Sequence, residues 1–429
     1  MIVGFVSMAA VILLALLRVP LGIALMSVSL AGLAYITSTT TALTLFPMTV
    51  SEAVLSYDLA IVPMFILMGN IISRTGIAQD LFRAANAYLG STRGGLSLAT
   101  MLTCAGFGAV CGSSYATAAT MAKVAYPSMR RYGYSDGLAS ATIAAGGTLG
   151  ILIPPSIILV IYGIITQTNI GDLFVAGVLP GLLGLALYML AVVWVAWRRP
   201  EEAPRGEPSS WSDRIASLRG IWPFLFLFAL IIGGLYANLF TATEAAGIGA
   251  GMAILVGFFH GRLTLAMLRK VILETAYTSI SLYVVLFGAM MLSKLLTMSG
   301  LSVGILGLVE GMGLTGYWLI LAIILIFLVL GCVLDSMAII LIFVPLFAPV
   351  VAAQGFDLIW FGIIVVVVTE IALITPPVGM NVFVLKAVLP HVPVMRIFRG
   401  LVPFIAVDLV RLSLLVAFPA ISLWLVTHV

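Results

Sequence analysis

The sequence predicts an all-α polytopic membrane protein built from two inverted repeats. Composition is the first reason: of 429 residues, 62% are hydrophobic and 8% are charged, whereas soluble domains carry about 25% charged residues. The second reason is a proline pair inside each of two apolar segments, Pro154-Pro155 and Pro376-Pro377. The third is a repeat of glycine and proline positions between the two halves of the chain.

A proline pair inside a membrane segment interrupts the helix. Proline lacks a backbone N–H, its ring clashes with the carbonyl four residues earlier, and the residue before it leaves the α region. The chain at 146–157 must therefore unwind and restart. Unwound backbone at membrane depth is tolerated only inside protein or beside a water-filled cavity. Two such breaks in matching positions of two halves indicate a transporter's binding site.

Residues 1–199 form the first predicted repeat. The apolar segment 96–129 is split near Gly112 into arms of about 15 residues, which are too short to cross a membrane and favour a re-entrant hairpin. No basic residue precedes the apolar run 1–17, so we interpret it as a retained span and not a signal peptide. The predicted spans are 1–17, 20–45, 59–73, the broken helix 139–166 and 173–197, with an amphipathic piece at 77–90.

A polar cytoplasmic linker, 200–219, leads into the second predicted repeat, 220–429. Its hairpin is expected at 316–350, with the break at Leu334-Asp335-Ser336. The predicted spans are 221–239, 243–260, 277–297, the broken helix 358–389 and 401–426, with an amphipathic piece near 262–274.

An offset of 222 residues superimposes the two halves, placing Ser113 on Asp335 and Pro154-Pro155 on Pro376-Pro377. Five crossings in each half is an odd number, so the second half enters from the opposite side as an inverted repeat. With the N-terminus outside, all of the 20 basic residues except Lys294 and Arg411 fall on the cytoplasmic side. This bias predicts that both termini are extracytoplasmic.

Each hairpin tip and each proline break directs helix ends toward the middle of the membrane. Helix N-termini suit carboxylates, and C-terminal carbonyls suit Na⁺. Together with nearby hydroxyl and carboxylate oxygens, they predict two pseudo-symmetric cation sites, one at each tip and break. The candidate Na⁺ ligands are Gly112, Ser113, Thr148, Pro154, Leu334, Asp335, Ser336, Glu370, Thr375 and Pro376.

Other interpretations of these polar residues remain open. Serine and threonine in membrane helices often bond to the carbonyl four residues earlier or join helices. Burying an acidic side chain in a membrane costs free energy, so such residues usually have a function. Glu370 could bind a cation or a proton, or pair with a basic group elsewhere. Asp408 and Arg411 are expected to neutralise each other on one helix. Glu244 is expected either to cap its helix or to serve function.

The sequence contains no basic residue at the predicted substrate centre. An anionic substrate would therefore depend on helix N-termini, the Ser114 hydroxyl, the Asn381 amide and bound Na⁺. No phosphate-binding loop, dinucleotide fingerprint or His-Glu-x-x-His helix is present. We accordingly predict that the protein is not an enzyme and that it uses no organic cofactor. Na⁺ is the predicted coupling ion, and no nucleic-acid partner is expected.

Several motifs resemble the large membrane subunit of tripartite ATP-independent periplasmic (TRAP) transporters, and the resemblance covers nearly the whole chain. One departure is Ala242, where that family commonly has proline. The motifs are Leu67-Met68-Gly69-Asn70-Ile71, Gly112-Ser113-Ser114, Ile153-Pro154-Pro155-Ser156, Tyr162-Gly163, Thr241-Ala242-Thr243-Glu244-Ala245 and Thr375-Pro376-Pro377-Val378-Gly379-Met380-Asn381.

The resemblance implies sodium-driven uptake of an organic acid across the bacterial inner membrane by an elevator-like movement. It also implies two partners, a small four-helix membrane subunit and a periplasmic substrate-binding protein; since apolar spans begin at Met1, we expect the small subunit to be a separate chain. By position, the substrate-binding residues would be Ser114, Pro155, Ser156, Pro377 and Asn381. The alternatives are a stand-alone cation-coupled dicarboxylate or ion symporter of a related elevator fold, and a structural subunit whose broken helices only pack.

Overall fold

A computed structural model describes residues 1–428 except 312, 314 and 315, and the described chain is helical throughout its membrane segments. A short 3₁₀ turn, Tyr57–Ala60, precedes α4. The α-helices are α1 (Ile2–Leu16), α2 (Leu21–Ile36), α3 (Thr39–Leu55), α4 (Ile61–Arg74), α5 (Ile77–Leu89), α6 (Gly95–Cys111), α7 (Ser114–Val124), α8 (Tyr126–Arg131), α9 (Asp136–Leu152), α10 (Ile157–Thr166), α11 (Ile170–Arg198), α12 (Trp211–Tyr236), α13 (Ala242–Phe259), α14 (Leu265–Met298), α15 (Leu301–Gly311), α16 (Tyr317–Gly331), α17 (Ser336–Ala353), α18 (Leu358–Ile374), α19 (Met380–Val388), α20 (Val394–Ala417) and α21 (Ala420–Leu423).

Length and hydropathy confirm a polytopic membrane protein. Among the described residues, seven helices are long and apolar enough to span a membrane, or eight if the bent pair α9–α10 is one span. Five further apolar helices have 10–17 residues, and they include α1, α2 and α18. Large apolar side chains such as Leu190 and Trp197 remain exposed, as expected of surfaces that face lipid.

The first hairpin and the first broken helix have the predicted elements. α6 ends at Cys111, Gly112 adopts a left-handed conformation with φ of 63°, and Ser113 caps α7. Gly112 suits this conformation because it has no Cβ. α9 and α10 are separated by residues 153–156 and bend by 41°, and the Pro154–Pro155 peptide bond is cis.

The second half contains helices and breaks of the same kind. α16 and α17 flank a break at 332–335, and α18 and α19 flank a break at 375–379. The Pro376–Pro377 peptide bond is also cis. The offset of 222 residues further relates α5 to α15, an element that the sequence analysis did not assign. The inverted orientation and the repeat boundaries stay predictions.

Two predicted boundaries were wrong. The predicted span 20–45 is two helices, because α2 ends at Ile36 and Ser38 starts α3 by accepting a hydrogen bond from the Thr41 N–H at 3.1 Å. The predicted pieces 262–274 and 277–297 form one helix, the 34-residue α14. At about 1.5 Å per residue this helix is about 51 Å long, so its charged end extends beyond the apolar layer.

Helix α9 lies at the centre of the fold. It packs against α6, α7, α11, α18 and α20, and every residue of Leu138–Leu152 is buried. Small residues allow this close packing, because glycine and alanine let neighbouring backbones approach. The first proline break therefore begins at the end of an almost fully buried helix.

Candidate functional site

The first hairpin lies directly against the first broken helix. A Cβ added to Gly150 would lie 2.4 Å from Gly108 Cα, and one added to Gly108 would lie 2.7 Å from Gly150 Cα. The two backbones thus touch at a pair of glycines, one on α6 and one on α9. At the tip, a Cβ on Gly112 would lie 3.2 Å from Ile157 Cγ1. The tip of the first hairpin is therefore beside the break, as the cation-site prediction requires.

The second broken helix also reaches the first hairpin tip. The Ser114 hydroxyl lies 2.9 Å from Asn381 Oδ1 and 2.6 Å from Asn381 Nδ2. Asn381 Nδ2 also donates to the Ala144 carbonyl of α9 at 3.1 Å. Both Ser114 and Asn381 are buried. Two predicted substrate-binding residues, 267 positions apart, are thus in direct contact.

Three other candidate hydroxyls are engaged by nearby backbone. Thr148 donates to the Ala145 carbonyl at 2.7 Å, and Thr375 donates to the Ile371 carbonyl at 2.6 Å. Ser156 accepts from the Leu159 N–H at 3.3 Å and its hydroxyl donates to the Ile151 carbonyl across the break. In this conformation these side chains stabilise helix ends, which is the alternative that the sequence left open.

The second hairpin tip meets the second break in the same way. The Cys332 thiol donates to the Pro376 carbonyl at 3.3 Å. A Cβ added to Gly331 would lie 2.4 Å from Ala372 Cβ, so α16 also approaches α18 at a glycine. Asp335 is at the N-cap position of α17, with its carboxylate near the Met337 and Ala338 N–H groups. This arrangement gathers carboxylate and carbonyl oxygens at one place.

Two hydroxyls near the tips are buried without a hydrogen-bond partner among the described residues. They belong to Ser336, next to Asp335, and to Tyr115, next to Ser114. A buried unpaired hydroxyl costs free energy, and a bound cation or water would relieve that cost. Ser336 therefore fits the predicted cation-binding set.

A buried ionic network joins the two broken helices, and the sequence predicted only its Asp408–Arg411 pair. Arg411 Nη2 lies 2.6 Å from Glu370 Oε2 and 3.0 Å from Asp408 Oδ1. The Tyr188 hydroxyl donates to Asp408 Oδ2 and lies 3.4 Å from the Thr148 hydroxyl. Glu370 and Arg411 are 0% exposed, and Asp408 is 1% exposed. The chain of contacts runs from Thr148 on α9 to Glu370 on α18.

In this conformation Glu370 pairs with a basic group from another helix, one of the roles that the sequence left open, and its role as a cation ligand stays a prediction. The expected pairing of Asp408 with Arg411 is confirmed, and the same guanidinium also holds Glu370, 41 residues earlier in the chain. Gly184 of α11 provides the room, because a Cβ there would lie 2.1 Å from Arg411 Nη1. The sequence signal was an unpaired acid and a lone arginine in apolar segments, which favours a buried pair.

A polar cavity of about 950 Å³ opens where the 3₁₀ turn, the α10–α11 connection and the α12–α13 connection meet. Glu244 on its wall completes the capping box with Thr241, whose N–H donates to Glu244 Oε2 at 2.8 Å. Its capping role is confirmed. The other polar lining residues include Asp58, Gln167, Thr168, Asn169, Asp172 and Thr243.

Comparison with known families and proteins agrees with this architecture. The family "Tripartite ATP-independent periplasmic transporter, DctM component" matches residues 8–421. The chain is 38% identical over 368 residues to the C4-dicarboxylate TRAP transporter large permease protein DctM of Pseudomonas aeruginosa, covering 86% of each chain. It is 34% identical to the ectoine TRAP transporter large permease protein TeaC of Halomonas elongata, again covering 86% of each. The sialic acid TRAP transporter large permease protein SiaM of Vibrio cholerae is 29% identical, with 95% and 94% covered.

Two solved structures share the fold at low sequence identity. The Alcanivorax borkumensis YdaH transporter matches with a TM-score of 0.61 and 15% identity, covering 89% of both chains. Neisseria gonorrhoeae MtrF, described among antimetabolite efflux pumps, matches with a TM-score of 0.61 and 15% identity, covering 90% and 85%. The relatives are permeases and not enzymes, and the site places two hairpin tips beside two broken helices. The chain belongs to the large permease, or DctM, family of tripartite ATP-independent periplasmic transporters.

Proposed function

We propose that this permease carries out sodium-coupled uptake of a small organic acid that a periplasmic binding protein delivers. The observation that carries this proposal is the contact of Ser114 with Asn381 beside the buried Ala144 carbonyl. Elements from both halves of the chain meet at this one buried point. An inward-moving solute can be held there and released only if the hairpins move relative to the rest of the protein.

Sodium binds at the two hairpin tips in this proposal. Na⁺ prefers oxygen ligands. At the second site, Asp335 supplies a carboxylate, Ser336 a hydroxyl and Pro376 a backbone carbonyl. The corresponding ligands of the first site are the oxygens at Gly112, Ser113 and Pro154. Arg411 holds Glu370 through Oε2 and so fixes the second broken helix, while Glu370 Oε1 is buried without a partner among the described residues and remains a candidate ligand for the ion.

The substrate is an organic anion whose carboxylate lies at helix N-termini. Ser114 begins α7, and Asn381 lies in the first turn of α19, so both are placed where backbone N–H groups face outward. Pro155, Ser156 and Pro377, which lie in the two breaks, are the other substrate-binding residues in this proposal. The relatives named for C4-dicarboxylate, ectoine and sialic acid all handle carboxylate-bearing solutes, which supports this class and leaves the particular acid open.

Two partners complete the proposed transporter: a small four-helix membrane subunit and the binding protein. The chain lies in the bacterial inner membrane with both termini in the periplasm, an orientation that rests on the distribution of arginine and lysine. In this orientation the polar cavity of about 950 Å³ faces the periplasm, where it can receive the solute. Uptake then proceeds by an elevator-like displacement of the hairpin-bearing elements.

Uptake into proteoliposomes tests the proposal. The chain is purified with the membrane protein that accompanies it, reconstituted, and supplied with the binding protein and labelled acid. We expect uptake with an inward sodium gradient and none with potassium, and Asp335→Ala is expected to abolish uptake while the protein still purifies. Sodium-independent uptake, or full activity of Asp335→Ala, would overturn the assignment.

The same experiment separates the alternative. A chain that purifies alone and takes up solute without a binding protein would be a stand-alone symporter of a related elevator fold. A chain that inserts, purifies and carries nothing under any gradient would be a structural subunit.

A further inference from the structure

The predicted cytoplasmic end of α11 and α20 combines an apolar groove with a basic pocket. The groove has a volume of about 900 Å³ and is lined by Leu190, Trp194, Val402 and Ala406, among other apolar residues. The pocket has a volume of about 570 Å³. Leu138, Arg199, Glu202, Arg399 and Gly400 line both, so the two spaces are continuous.

The basic end carries a net positive charge. Five arginines line the two spaces against the carboxylates of Asp136 and Glu202, which leaves an excess of three positive charges. Arg199 pairs with Glu202 at 3.1 Å, and Asp136 is shared between Arg130 at 3.4 Å and Arg396 at 3.7 Å. The remaining arginines, Arg198 and Arg399, have no ionic partner among the described residues.

Within the part of the chain that the structure describes, Asp136 and Glu202 are the only acidic residues that line the two spaces. Tyr134 forms part of the pocket wall, and its hydroxyl accepts a hydrogen bond from the Leu96 N–H at 3.2 Å. Burial raises the pKa of Tyr134 to about 12, so the phenol stays neutral. On the far side of Asp136, the Tyr126 hydroxyl donates to Asp136 Oδ1 at 2.7 Å and lies 2.8 Å from His391 Nε2.

Close backbone contacts join the walls of the pocket. A Cβ on Gly400 would lie 2.4 Å from the Gly137 carbonyl, so α20 rests directly on the first turn of α9. The Ser135 N–H donates to the Glu202 carbonyl at 3.2 Å, which ties the start of α9 to the chain after α11. The space is thus a formed concavity between three helices and not a gap between mobile chains.

We propose that this concavity binds one anionic phospholipid, with the headgroup phosphate at Arg198 and Arg399 and an acyl chain along the groove. Basic pockets between membrane helices bind anionic headgroups, and apolar walls that continue from the pocket suit an acyl chain. Trp194 lies at the level where aromatic side chains favour the membrane interface. Free phosphate would use only the basic half, so the continuous groove favours a lipid. The proposal does not depend on sodium coupling or on the transported solute.

Native mass spectrometry of the full chain, purified with its accompanying membrane subunit, tests this site. The probes are phosphatidylglycerol and phosphatidylcholine with identical acyl chains. We expect one tightly retained phosphatidylglycerol and about tenfold weaker retention of phosphatidylcholine. Arg198→Gln combined with Arg399→Gln is expected to remove that preference.

Two variants sharpen the result. Arg131→Gln combined with Arg219→Gln makes the same charge change at exposed positions outside the concavity, and it is expected to retain the lipid preference. Ala406→Trp fills the groove without changing charge, and it is expected to lower phosphatidylglycerol retention about tenfold. Size-exclusion profiles and thermal unfolding of each variant report whether the fold is intact.

Three outcomes would overturn the proposal. The first is equal retention of the two lipids by the unmodified protein. The second is complete displacement of phosphatidylglycerol by millimolar inorganic phosphate, which would indicate an ion site without an acyl-chain groove. The third is a lipid that binds the chain alone and is absent from the complex, which would make the groove the contact surface of the small subunit.

Discussion

The two broken helices share a motif and differ in how the protein encloses them. Every residue from Leu152 to Ile157 in the first break is buried. In the second break, Pro376 and Pro377 are exposed and Thr375 is partly exposed. The helix contacts differ as well: the backbones of Gly108 and Gly150 touch at the first site, whereas Gly331 meets the Ala372 side chain at the second. The comparison indicates that the first break is held closed while the second is accessible.

The ionic network gives that difference a physical basis. Arg411 binds Glu370 five residues before Thr375, and through Asp408 and Tyr188 it reaches Thr148, six residues before Pro154. The network therefore connects α9 and α18, the helices that lead into the two breaks. A shared anchor allows one break to open while its helix remains fixed to the other.

The largest effect is expected from Arg411→Ala. The substitution leaves Glu370 and Asp408 buried without a counter-charge, which costs about 3–5 kcal/mol. We expect a large loss of folded protein and of thermal stability, measured on the detergent-purified chain. Arg131→Ala, at an exposed position of α8, is the control and should leave stability unchanged. An Arg411→Ala protein as stable as the unmodified chain would disprove the anchor.

A smaller loss is expected from overpacking the closed break. Gly150→Ala puts a methyl group 2.4 Å from the Gly108 backbone, which cannot withdraw, whereas Gly331→Ala meets the Ala372 side chain at 2.4 Å. We expect Gly150→Ala to lower the free energy of unfolding by about 1–3 kcal/mol. The loss caused by Gly331→Ala should be smaller. Melting temperatures of the two variants decide the order. Gly251→Ala is the matched control, because no atom lies within 4 Å of its added Cβ.

Ser114→Ala tests the contact between the halves. The substitution removes the hydroxyl that meets Asn381, while the Asn381 bond to Ala144 remains, so we expect a stability loss of about 0.5–1.5 kcal/mol. If Ser114 also contacts the solute, uptake per folded protein should fall as well as the free energy of unfolding. Ser29→Ala, which removes a buried hydroxyl without a partner among the described residues, should leave uptake unchanged. Equal uptake in the two variants would contradict the proposed substrate position.

The native cysteines test the accessibility difference without any substitution. Cys332 lies at the second break and is partly exposed, whereas Cys104 is buried between α6 and α9. We expect a charged, water-soluble thiol reagent to modify Cys332 faster than Cys104, as measured by mass spectrometry of the labelled protein. Faster modification of Cys104 would contradict the close packing of α6 against α9 that leads to the first break.

Much of this arrangement was predictable from residues that restrict the backbone. The proline pairs and Gly112 located both breaks and the first tip to within a few residues, because they exclude a continuous helix whatever surrounds them. The continuous α14 was not predictable in the same way. Its first turns carry Arg269 and Lys270, and a helix that emerges from the membrane has the same pattern as a separate amphipathic helix.

The polar contacts of the site were only partly predictable. Arg411 was assigned to Asp408 because residues three apart share a helix face, but its contact with Glu370 joins two helices, and helical periodicity carries no information about which helices meet. The same limit applies to Ser114 and Asn381. Each was a candidate by its position at a helix start, and their contact depends on how α19 packs against α7.

Equilibrium binding of radioactive sodium to the purified chain is the most direct test of the central claim, that the hairpin tips and breaks hold the coupling ion. It requires no knowledge of the solute. We predict saturable sodium binding that falls by about half in Asp335→Ala, because one of two pseudo-symmetric sites is lost. Absence of saturable binding, or unchanged binding in Asp335→Ala, would contradict the account.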